Sequence, residues 1–185
     1  MRQRLRLFTV LALFSLAGVL HAQGPGPERV AEMQMAAVSR SDWSGFTSFM
    51  HPDALESFKA AFAEILPMDG TGEAGSGLFG VSDLAQYQQA SAADLFTLFM
   101  QRLSEAAPEM MMMTRGARYQ VLGAVLEGPE LAHVVYRLTV TVDDTPFSSM
   151  EVETYRKHGG QWKSMLRREI DQLVAGIRQS IAEQE

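Results

Sequence analysis

The chain of 185 residues contains no cysteine, which removes disulfides, thiol nucleophiles, thiolate metal sites and thiol redox exchange together. Its apolar core must therefore hold the fold unaided. Positive charge is also scarce, with 16 Lys and Arg against 22 Asp and Glu for a net charge of −6. An acidic surface disfavours nucleic acid and anionic membranes as partners. Histidine is sparse and scattered at 21, 51, 133 and 158, so no pair has the short helical spacing of a zinc site. The expectation is no metal and no cofactor.

Long hydrophobic runs are absent except at the start of the chain. Arg2, Arg4 and Arg6 form a positive region ahead of the apolar stretch from Leu7 to Leu20, which is followed by His21-Ala22 and then Gln23-Gly24-Pro25-Gly26-Pro27. This is the pattern of a secretory signal, and the run is short for a membrane span of roughly 20 residues. The expectation is a signal peptide over 1–22, cleavage after Ala22, a linker over 23–27 and one domain over 28–185. Removing the three arginines takes the mature net charge to −9. The expected location is periplasmic or secreted, with no membrane attachment after cleavage. A mature chain of 163 residues is long enough for a single domain with a sizeable core.

Hydrophobic periodicity then divides the domain in two. Val30, Met33, Ala37 and Val38 fall at helical steps, as do Trp43, Phe46, Phe49 and Met50 after a cap at Ser41 or Asp42. His51-Pro52-Asp53 punctuates the chain before a third helix with Leu55, Phe58, Phe62, Ile65 and Leu66 on its buried face. Residues 67–81 hold five of the fifteen glycines with no hydrophobic period, the signature of a mobile loop. Ser82 and Asp83 open a further helical region that breaks near Ser91 and runs to Pro108. Met110 to Met113 follow; thioethers are soft metal ligands, but Met also fills irregular core gaps, and the second role is the one assigned.

From Ala117 the period becomes two, predicting an antiparallel meander. Its strands run from Tyr119 to Glu127, along Val134 to Val142, from Phe147 to Lys157 and from Gln161 to Arg168, the last two joined by His158-Gly159-Gly160. Glu169 to Glu183 closes the chain as a helix with Ile170, Leu173, Val174, Ile177 and Ile181 on one face. The fold class is α+β: N-terminal helices packed in a curved four-stranded antiparallel meander, with a C-terminal helix.

Ser41 to Phe46 followed by Met50-His51-Pro52-Asp53, and Val152 to Lys157 with Gly160-Gln161-Trp162-Lys163, resemble the short helix, "His-Pro" turn and final hairpin of the nuclear transport factor 2-like superfamily. The resemblance covers roughly residues 28 to 168. It implies a cone-shaped fold whose sheet wraps the first helices around a pocket, while function must be argued from the site itself. The candidate lining residues are Trp43, Phe46, His51, Tyr119, Tyr136 and Tyr155.

Three readings follow. The leading one is a non-enzymatic exported domain holding a small apolar ligand or a protein partner in the cone pocket or on the sheet face. The alternative is a pocket isomerase, dehydratase or hydrolase, with His51 or a carboxylate such as Asp42 or Asp83 as base and a tyrosine as oxyanion donor. In the third, the stripe of the closing helix makes a homodimer or docking element.

Overall fold

In a computed structural model, residues 24–68, 72–166 and 168–182 are described. The segment expected to be a signal peptide lies outside them. Eight helices and four strands are described: α1 (Pro27–Ser39), α2 (Trp43–Ser48), α3 (Pro52–Ile65), α4 (Glu73–Phe79), α5 (Leu84–Gln89), α6 (Ala92–Ala106), α7 (Pro108–Gly116), β1 (Arg118–Glu127), β2 (Leu131–Val142), β3 (Thr145–His158), β4 (Gln161–Ser164) and α8 (Arg168–Ala182). The fold is α+β, with helices first, an antiparallel sheet in the order β1-β2-β3-β4, and a closing helix.

Local chemistry accounts for the boundaries. Pro27, Pro52 and Pro108 stand in the first turns of α1, α3 and α7, where a missing N–H costs nothing. Asp42, Asp83 and Ser91 cap α2, α5 and α6 by accepting from backbone N–H groups at 2.8 to 3.0 Å. A Cβ at Gly45 would meet the capping carboxylate of Asp42, so a larger residue there would have to displace the cap. The β3–β4 turn is Gly159-Gly160, both at positive φ, as a type I′ hairpin requires. Asp143 and Asp144 make the β2–β3 turn, also at positive φ but without glycine.

Two apolar clusters hold the domain, one among the helices and one between α1 and the sheet. Phe58 and Phe62 of α3, Phe79 at the end of α4, and Phe96 and Phe99 of α6 pack ring to ring at 4.9 to 6.1 Å between centroids, and Val174 of α8 joins them. On the sheet side, Val30 and Ala31 of α1 meet Ala132, Val134 and Tyr155. Residues 133, 135, 150 and 152 face away from α1 by strand alternation, and there Met150 and Val152 are 56% and 64% exposed.

Several expectations need correction. The glycine-rich stretch 67–81 contains helix α4, bounded by Gly72 and Gly80 in the left-handed region, and it buries Phe79 and Val81. Its apolar residues cluster at one end, which hides the period. Met110–Met113, expected to fill the core, lie within α7, where Met111 is buried but Met112 and Met113 are exposed. On α1 the buried face is Val30, Ala31, Gln34, Met35 and Ala37, so polar Gln34 is inside and Met33 outside. Strand β4 ends at Ser164, four residues before Arg168.

Candidate functional site

The predicted lining residues fall into three environments. Trp43 is buried and meets Phe46 edge-on at 6.3 Å, and Phe46 stacks on Phe96 at 5.9 Å, so both serve the packing of α2 on α6. Tyr136 is buried, with its ring 6.2 Å from that of Tyr119. Tyr155 belongs to a polar chain and His51 to an ionic node.

The polar chain joins α1 to β3 and β4. The Tyr155 hydroxyl lies 2.7 Å from Gln34 Oε1 and 3.1 Å from Glu153 Oε2. Gln34 Nε2 lies 2.7 Å from the Ser164 hydroxyl, which reaches Met50 Sδ at 3.1 Å. All five side chains are buried. A phenol has one proton, so it cannot donate to both oxygens. The shorter contact, to Gln34 Oε1, takes that proton. Gln34 in turn donates to Ser164, and Ser164 to the Met50 sulfur, so each group of the chain has a partner. Among the described residues no buried side-chain nitrogen or oxygen lacks a partner, which is what a low-dielectric interior demands.

His51 is the hinge between α3 and the sheet. Its Nδ1 accepts from the Asp53 N–H at 3.1 Å, capping α3, while its own N–H donates to Ser164 O at 2.8 Å. The Ser164 N–H donates in turn to Phe49 O at 2.8 Å, so residues 49–51 flank the outer edge of β4. The Arg156 guanidinium approaches both ring nitrogens at 3.2 Å and pairs with Asp53. The His158 ring lies edge-on at 5.3 Å. Burial holds the His51 imidazole below its ordinary pKa of 6.5, Arg156 lowers it further, Asp53 partly opposes, and His158 adds a smaller lowering. A neutral imidazole has one lone pair to offer, and donors already crowd this ring. His51 is therefore a positioning residue and a weakened base.

Between α2, the starts of α3 and α6, and the β3–β4 turn lies an open cleft of about 680 Å³. Met50, Pro52, Leu55 and Ala93 give it apolar surface. Thr47 and Thr97 join the helices across it: Thr97 donates to Thr47 at 2.9 Å, and Thr47 to Trp43 O at 2.8 Å. The hairpin side presents His158 and Lys163, and the α6 side presents Asp94. Lys163 Nζ donates to Ser48 O at 2.6 Å, bracing the hairpin against α2. None of the six predicted lining residues belongs to this surface.

His133 lies elsewhere, on the outward face of β2 beside Thr154 and Glu127 at 3.2 and 3.1 Å. Among the described residues no group of three or more His, Asp or Glu side chains is placed to hold a metal ion. No helix among them is long and apolar enough to cross a membrane. Comparison with family models, with curated proteins and with solved structures finds no match for this chain.

Proposed function

We propose that the protein is an exported, non-enzymatic binding domain of the nuclear transport factor 2-like kind, and that its ligand site is the cleft beside the β3–β4 hairpin. One observation carries the reading: a cleft of about 680 Å³ in which apolar surface from Met50, Pro52, Leu55 and Ala93 is set among eight polar side chains. That size is within the range of small-molecule sites, and the lining is more polar than most of them have. The enzyme reading is weaker because the base it needs is poorly supplied. His51 is buried among donors that depress its basicity, and the Glu153–Tyr155 pair is bonded into the chain that ties α1 to the sheet.

The test is native mass spectrometry of the protein recovered from its host envelope, followed by amide NMR with the ligand class so found. The expected results are an N-terminus at Gln23, a bound small molecule, and shifts confined to Thr47, Met50, Leu55 and Thr97. Shifts centred on Tyr119 and Tyr136 would move the site to β1 and β2. Recovery of the chain from the cytoplasm with residues 1–22 intact would end the export proposal.

A further inference from the structure

Charge on the cleft walls narrows the ligand class. The α6 wall carries the Asp94 carboxylate, in the first turn of the helix, where it accepts from the Ser91 hydroxyl at 2.7 Å. On the hairpin wall stands the Lys163 ammonium. An ammonium has three donors, and the Ser48 carbonyl takes one of them at 2.6 Å. Arg156, close by, is matched by Asp53, and His158 adds an imidazole beside Lys163. The walls thus offer one negative and one positive group across apolar surface from Met50, Pro52, Leu55 and Ala93.

A purely anionic amphiphile would meet Lys163 but also Asp94, and a purely cationic one would meet the reverse conflict. A neutral apolar molecule would satisfy neither wall. We propose that the cleft takes a small zwitterion with an apolar body, its ammonium toward Asp94 and its carboxylate toward Lys163 and His158, the chemistry of a short free hydrophobic peptide. The inference rests on the cleft being the binding site.

The test titrates the purified exported protein with leucyl-leucine, its N-acetyl form, its C-terminal amide and the doubly blocked compound, read by amide NMR and calorimetry. Leucyl-leucine is expected to bind at the cleft, and blocking either end should weaken it about tenfold, the scale of one charge-assisted hydrogen bond. Lys163→Gln should abolish the difference between free acid and amide, and Asp94→Asn that between free and acetylated amine. Equal binding of all four compounds at the cleft overturns the zwitterion while leaving the binding reading intact. No shifts at Thr47, Met50 or Thr97 with any of them overturns both. The unmodified protein decides between these outcomes even if a variant folds poorly.

Discussion

Replacing Gln34 with leucine keeps roughly the same volume on α1 but takes the amide out of the chain that joins Tyr155 to Ser164. Tyr155 retains Glu153 at 3.1 Å, and Ser164 retains only the weakly accepting Met50 sulfur. The cost is that of depriving a buried hydroxyl of its best partner, about 1–3 kcal/mol. Tyr155→Phe removes the hydroxyl instead and takes from buried Gln34 its donor at 2.7 Å, so about 1–3 kcal/mol is expected. In the double variant the Gln34–Tyr155 bond is lost only once, so its penalty should fall short of the sum by about 1 kcal/mol, within the range of coupled neighbours. Urea unfolding of the four proteins, extrapolated linearly to water with the slopes compared, measures this directly. Additivity within about 0.5 kcal/mol would refute the argument, since it would mean that the two side chains do not act as one chain.

Two further outcomes follow from other elements. Because His51 is held below 6.5 in the fold, the unfolded chain binds the proton more readily. The stability tied to its neutral form is full above 6.5, falls as pH drops through that value, and levels off below the folded pKa. His51→Asn keeps a capping oxygen for α3 and should lose that part of the slope in urea midpoints measured from pH 8 to 5; an unchanged slope contradicts the assignment. The β2–β3 turn places Asp143 and Asp144 at positive φ, so Asp143→Asn with Asp144→Gly, the preferred type I′ pair, should stabilise by about 0.5–1 kcal/mol. A melting temperature no higher than that of the unmodified protein would argue against that geometry.

How far the sequence discloses this structure depends on the range of the interaction involved. Alternation along Val134 to Val142 sets β2 because every second side chain meets the same face. Pro52 and Gly159-Gly160 mark their boundaries through their own backbone chemistry. Helix α4 is obscured because its two interior glycines weaken the helical signal, and only its burial of Phe79 against Phe58 and Phe62 reveals what holds it. Gln34 sits four residues after Val30 and three before Ala37, on the apolar face of α1. Met33 fits the same spacing, and what turns Gln34 inward instead is its partners, which lie in strands more than a hundred residues later. The cleft is the least legible feature. Thr47, Asp94 and Lys163 each look like ordinary surface polar residues, and nothing local says that α2, α6 and the hairpin converge.

The seam where residues 49–51 lie along β4 also bears on how the chain comes together. An exposed sheet edge is a template for pairing with other chains, and here the edge beside β4 is occupied by backbone from the junction of α2 and α3. Met50 and Ser164 are 114 positions apart, so closing that seam costs about 4 kcal/mol in chain entropy beyond a constant. The helices can form from neighbouring contacts, whereas β4 gains its second neighbour only when the two ends of the domain meet. Since the cleft draws its walls from both sides of that seam, a ligand seated there would bind only the fully assembled chain and slow its opening.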